Sequence, residues 1–162
     1  MKIWVDGDAC PGDIRELIFR AAIRVGVEVS LVANRYRRLP QHPLIRLELV
    51  GDGFDAADQF ILDKVSSGEL VITADIPFAE QLVRKGAFVV TPSGEELDAR
   101  NIGDRLATRN LMHELRTGYI IGGGSPSPGQ REKRAFADTF DRLLTRALKE
   151  AALRSLRQGS SD

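Results

Sequence analysis

The N-terminal run Ile3-Trp4-Val5 drives straight into two carboxylates, Asp6 and Asp8, and this most narrows what the chain can become. Three consecutive apolar residues lack the alternation of a strand with one wet face, so they fit a strand covered on both sides, as in a parallel sheet flanked by helices. In such sheets ligands bind beyond the carboxyl ends of the strands, where the strand order reverses. Asp6 and Asp8 sit where the first strand stops.

The pattern then repeats. Pro11 suits the first position of a helix carrying Ile14, Leu17, Ile18, Ala21, Ala22 and Val25, and Gly26 ends it. Val27 to Ala33 is a short β-branched strand, Leu39 to Pro43 an irregular loop, and residues 44–50 another strand. A helical stretch starting at Phe54 carries Ile61, Leu62 and Val65 on one face and closes at Gly68. Leu70 to Thr73 is a strand that delivers Asp75, Pro77 opens a helix ending near Gly86, and Ala87 to Val90 is a further strand. Alternating strands and helices predict a three-layer α/β/α sandwich with a mainly parallel central sheet. Residues 102–117 form a helix with Leu106, Arg109, Met112 and Leu115; Gly118 to Gly129 is a glycine- and proline-rich loop; Gln130 to about Arg157 is the longest helix, with Phe136, Phe140, Leu143, Leu144 and Ala147 in its apolar stripe. The expected organisation is a single domain over 1–158 and a frayed tail over 159–162.

Composition removes several classes of function. Lys plus Arg and Asp plus Glu both total 23, so no overall field draws the chain to nucleic acid or membrane, and electrostatic recognition must be local. The single cysteine, Cys10, excludes an internal disulfide and any multi-cysteine zinc site. With no activating histidine beside it in sequence, Cys10 reads as a small core residue. No apolar run approaches the ~18 residues of a membrane span, and the expected location is the cytoplasm.

The acids carry the chemistry. Asp58 falls on the apolar face of its own helix, in step with Phe54, Ile61 and Val65, where an unpaired ionised carboxylate is costly. Asp55, three residues before it, reaches the same side. If Asp6, Asp58 and Asp75 converge, two carboxylates ~5 Å apart repel by roughly 3 kcal/mol at an effective dielectric near 20, so protons or a cation must relieve them. Mg²⁺ or Mn²⁺ fits an oxygen donor set, whereas the thiol and histidine ligands of zinc are scarce, and His42 and His113 have no ligand spacing. Plainer roles exist as well: Asp75 and Asp8 each precede a helix and can cap it, and Asp55 suits a helix's first turn.

Taken together, Val-Asp-Gly-Asp-Ala-Cys-Pro at 5–11, Val-Ala-Asn at 32–34, Asp-Ala-Ala-Asp at 55–58, Val-Ile-Thr-Ala-Asp-Ile-Pro-Phe-Ala at 71–79, Asn-Ile at 101–102 and Gly-Gly-Gly at 122–124 resemble the bacterial YaiI/YqxD family from residue 1 to about 145. That family is placed among PIN-like domains, so the resemblance implies acids at strand ends that bind Mg²⁺ or Mn²⁺ for cleavage of single-stranded RNA. By position its acids match Asp6, Asp58 or Asp55, and Asp75; Asp6, Asp58 and Asp75 are the expected catalytic metal ligands, with Asp8 and Asp55 as outer ligands or holding metal-bound waters. The fourth acid frequent in PIN nucleases has no clear counterpart, since Glu95 and Glu96 fall in a loop past the last strand. A PIN-like module that binds RNA or a partner without cutting is therefore the alternative. Phosphate contacts are expected from Asn34, Arg35, Arg37 and Arg38 around Tyr36, an arrangement suited to a single strand, and then from Arg109, Arg131, Lys133 and Arg134. A homo-oligomer is expected by analogy only. A rival chemistry starts from the same Asp-x-Asp: in haloacid-dehalogenase-type phosphatases the first aspartate is the nucleophile and the second the acid, here Asp6 and Asp8. Asp52 and Asp55 would then bind the metal, and Lys64 or Lys85 would have to balance the phosphoryl charge.

Overall fold

The computed structural model describes residues 1–53, 55–116 and 129–160. Its elements run β1 (Lys2–Asp6), α1 (Gly12–Val25), β2 (Glu28–Ala33), β3 (Ile45–Leu49), α2 (Ala56–Lys64), β4 (Leu70–Ile72), α3 (Ile76–Arg84), β5 (Phe88–Val90), β6 (Glu96–Leu97), α4 (Ile102–Arg116) and α5 (Gln130–Gly159). Six strands form one sheet in the order β3-β2-β1-β4-β5-β6. All neighbours are parallel except β5 and β6, which are antiparallel.

Strand periodicity divides each central strand between two cores. On β1, Ile3 and Val5 join the layer of α1 and α5, whereas Trp4 joins the layer of α2, α3 and α4. Leu70 and Ile72 against Val71 on β4, and Val90 against Val89 on β5, repeat the division. The first layer is filled by Ile14, Ile18 and Ala22 of α1 with Phe136, Phe140 and Leu143 of α5; the second by Ile61, Phe78, Ala79, Leu82 and Ile102. Apolar runs on β1, β4 and β5 are thus what a sheet buried on both faces requires, and the chain is an α/β/α sandwich with a mostly parallel sheet.

Several boundaries differ from expectation. Pro11 is the cap of α1, one position before the first helical turn. Helix α2 begins at Ala56 because Asp55 takes a left-handed backbone (φ 62), and it ends at Lys64, with extended Val65 as its cap, well before Gly68. Phe54, expected to start that helix, lies outside the described residues, as do residue 117, expected to end α4, and all of the expected glycine loop except Gly129. Glu96, expected in a loop, belongs to β6, and α5 continues through Gly159. No helix among the described residues is long and apolar enough to cross a membrane.

The chain fills the sheet outward from β1 to β3, then returns to β4 on the other side of β1. The strand order therefore reverses between β1 and β4, and a crevice opens beyond their carboxyl ends.

Candidate metal centre

Asp6 closes β1 and is 8% exposed. Thr73, the first residue after β4, donates its hydroxyl to Asp6 Oδ2 at 3.1 Å and accepts the Asp75 backbone N–H at 3.1 Å. One threonine thus clasps the two strand ends that border the crevice. Burial pushes the Asp6 carboxyl up to about 6 against the Thr73 hydrogen bond, with the charges of Asp8 and Asp75 adding to the rise.

Asp75 caps α3, accepting the Phe78 N–H at 3.0 Å through Oδ1, so the cap expected from Pro77 is present. A cap engages one carboxylate oxygen and leaves the other for a second task. Asp58 lies in the first turn of α2, partly buried. Its carboxyl is raised to about 7, by burial first, then by the charges of Asp6, Asp75 and Asp55 and a hydrogen bond with Asp55. Asp55 occupies the cap position of α2 yet makes no side-chain cap bond, and its left-handed backbone is one that aspartate tolerates better than most side chains.

Asp55, Asp58 and Asp75 each present an oxygen within 4.8 Å of the others. Asp6 stands outside this triad but lines the same cleft of about 190 Å³ with all three, together with Asp8 and Asn34. Of the expected trio of Asp6, Asp58 and Asp75, the last two lie in this triad with Asp55, and Asp6 is buried behind them in the same cleft. Among the described residues no Lys or Arg forms an ion pair with any of these four acids. The donor set is all oxygen, is crowded with like charge and holds Asp58 near neutrality, which fits a hard divalent cation such as Mg²⁺ or Mn²⁺.

Asp8 lines the cleft but departs from the expected helix cap. It does not cap α1; its Oδ2 accepts the Asn34 backbone N–H at 3.1 Å and its Oδ1 pairs with Arg37 at 3.6 Å. It binds the end of β1 to the end of β2 and draws Arg37 to the edge of the cleft. Gly7 makes that junction possible, since a Cβ there would meet Leu31 Cγ at 2.9 Å. Arg35, Tyr36 and Arg38 are exposed on the same loop.

The remaining basic candidates separate. Arg109 of α4 lines a second cleft, of about 420 Å³, that shares Asp55, Asp58 and Asp75 with the first. Arg131 is exposed at the start of α5, in the opposite helix layer, and lines neither cleft; nearby Lys133 is paired with Asp13 at 2.7 Å. Glu95 and Glu96 are engaged by Arg105 at 2.8 Å and Arg142 at 2.9 Å, so neither completes the acid cluster. Cys10 is buried and its thiol is pushed up to about 12 by that burial, as befits a core residue. Thr73 is the site residue that sequence reasoning missed; its signal was a hydroxyl two residues before Asp75 at a strand's end, the spacing of a side-chain turn.

The family described as Uncharacterized BCR, YaiI/YqxD family, matches residues 4–146, a span that holds every acid of the cleft. A UPF0178 protein of Thioalkalivibrio sulfidiphilus is 50% identical over 146 residues, covering 90% of this chain and 99% of the relative. One from Pseudomonas paraeruginosa is 44% identical over 155 residues, covering 96% and 97%, and one from Halorhodospira halophila 48% over 146 residues, covering 90% and 97%. Because these matches run nearly end to end and enclose the strands, helices and acids of the crevice, the chain belongs to the YaiI/YqxD family.

Proposed function

We propose that this protein is a divalent-metal-dependent nuclease of the PIN-like type that hydrolyses phosphodiester bonds in single-stranded RNA. The observation that carries this reading is the convergence of Asp55, Asp58 and Asp75 oxygens within 4.8 Å at the strand-order reversal, with no ion-paired cation among the described residues. These three would hold Mg²⁺ or Mn²⁺. When bound, such an ion supplies a water acidified toward neutrality and positive charge for the oxygens of the transferring phosphate.

The rest belongs to the chain. Asp75 keeps one oxygen on the Phe78 N–H, which fixes the direction of the other. Asp6, clamped by Thr73, adds negative charge from behind and holds the ends of β1 and β4 in register. Asn34 on one side and Arg109 on the other flank the acids and offer donors to phosphate oxygens.

Purified protein with Mn²⁺ is expected to cut single-stranded RNA, and EDTA to stop it. Asp58→Asn or Asp75→Asn should lower the rate by more than ~100-fold and Asp6→Asn by ~10–100-fold, the range for groups that orient a metal's ligands. Cleavage by Asp58→Asn at the wild-type rate would refute the assignment.

One observation favours a second reading, RNA binding without cleavage: Glu95 and Glu96 are spent on arginines, leaving no further acid from the β5–β6 turn. Retained, salt-sensitive RNA binding with no cutting under any divalent ion would select it. The phosphatase reading fits less well, because Asp8 is occupied by Asn34 and Arg37 while Lys85 donates to the Leu62 carbonyl and Lys64 lies over the Phe60 ring.

A further inference from the structure

Arg109 belongs to two adjoining clefts. One holds Asp55, Asp58 and Asp75; the other, of about 300 Å³, runs between Ile76 and the outer part of α4 and is lined by Arg105, Thr108, Met112 and His113. The smaller cleft that contains Asn34 shares the three acids with the first, so the three clefts adjoin through shared residues as a groove with the carboxylate triad in its middle.

We infer that the α4 arm of this groove is a track for the nucleotides flanking the scissile bond of a single-stranded polynucleotide, with Arg109 as the phosphate contact nearest the acids and Met112 and His113 receiving bases further out. The track rests on the nuclease reading only for what happens at the acids.

The chemistry along the groove changes in the way a strand requires. Arg105, Arg109 and His113 recur every fourth residue on one stripe of α4, stepping ~6 Å along the axis at each repeat, close to the separation of successive phosphates in an extended strand. Arg109 is exposed and, among the described residues, bonds only its neighbour Asn110, at 3.3 Å, so its guanidinium is available to an incoming phosphate. Arg105 is fixed by Glu95 and gives that wall shape more than charge. Met112 is 44% exposed beside His113, so an apolar surface and an aromatic ring adjoin the donors, the combination that stacks unpaired bases. Because the chain is neutral overall, attraction of a polyanion must come from a local stripe of this kind. The groove between α1 and α5 offers no equivalent: Asp13 and Glu16 alternate there with Arg20, Lys133 and Arg134, and Lys133 is already paired.

The test measures binding apart from cleavage. Fluorescent oligouridylates of ~4, ~8 and ~12 nucleotides, and the matching DNA strands, are titrated with full-length Asp58→Asn protein in Mg²⁺ over a salt series. In that background Arg109→Gln should weaken binding of the longer strands ~5–10-fold and lower the slope of log affinity against log salt by ~0.7, one phosphate contact on a single strand. His113→Ala should remove the affinity gained on lengthening the strand, Arg109→Lys should restore the salt slope, and Arg20→Gln, on the opposite layer, should change nothing. A preference for RNA or for DNA supports the track equally and identifies the strand. Binding by Arg109→Gln equal to its parent, an equal loss in Arg20→Gln, or no binding of any strand overturns the track. If Arg109-dependent binding is found but the wild type never cuts with Mn²⁺, the track stands and the nuclease reading falls. If the wild type cuts and Arg109→Gln cuts with unchanged KM, the reverse holds.

Discussion

Asp58 concentrates the conflict between folding and chemistry in one side chain. Its carboxyl rises from the ordinary 3.8 to about 7, mainly through burial and then through the neighbouring acids. An acid with a higher pKa folded than unfolded binds protons more tightly in the folded state, so it favours folding below the unfolded value and disfavours it once both states are ionised. Asp6, raised to about 6, acts with the same sign. From these two carboxyls, metal-free protein is therefore expected to lose Tm as pH rises from about 4 and to level off above about 7. For a chain of this size each ~1 kcal/mol corresponds to about 2–4 °C. Asp58→Asn should flatten that fall and melt above the wild type at pH 8, and a lower Tm for the variant at pH 8 would show that the carboxylate stabilises the fold after all. The inward position of Asp58 could be read from its helical spacing, because periodicity reports which face is buried. The roles of Asp55 and Asp8 could not. The first depends on one left-handed backbone angle, and the second on a hydrogen bond to Asn34 reached only when β1 and β2 pair.

At the level of elements, α5 shows how a long helix is keyed to the sheet. Gly94, in the turn between β5 and β6, has φ +92, and a Cβ there would lie 2.5 Å from the Ala135 carbonyl carbon and the Phe136 nitrogen. Thr139 donates to the Gly94 carbonyl at 2.7 Å, and Arg142 reaches Glu96 at 2.9 Å. Gly94→Ala must therefore strain its own backbone and push α5 off the sheet, at a cost of about 2–4 kcal/mol, seen as a Tm lower by roughly 5–15 °C. An unchanged Tm would mean that α5 docks elsewhere. The apolar runs of β1, β4 and β5 and the stripe of α5 were legible because burial on both faces, or on one helical face, leaves a repeating pattern. Strand β6 was not, since two residues carry no period and pairing with β5 alone makes them a strand. The start of α2 was misplaced for a related reason: Asp55 and Ala56 look equally helical until the backbone turns left-handed between strand and helix.

Across the whole molecule, the sheet order sets like charges side by side. β1 and β4 are adjacent and parallel, so the acids that follow them, Asp6 and Asp75, leave the same edge, and α2 lays Asp55 and Asp58 over the gap. A balanced total of 23 acidic and 23 basic residues gives this cluster no compensation from the protein's overall field. A cation that binds the folded chain and not the unfolded one should therefore stabilise all of it, by about 2.7 kcal/mol at a hundred times its Kd. The gain in Tm with Mn²⁺ is expected to be roughly 5–11 °C at pH 8 under those conditions. It should shrink toward pH 5, where protons on Asp58 and Asp6 compete for the same oxygens. Asp75→Asn should remove most of the gain, while Arg20→Gln should keep it. A Tm that responds to Mn²⁺ no more at pH 8 than at pH 5, or that responds equally in Asp75→Asn, would place cation binding away from the crevice between β1 and β4.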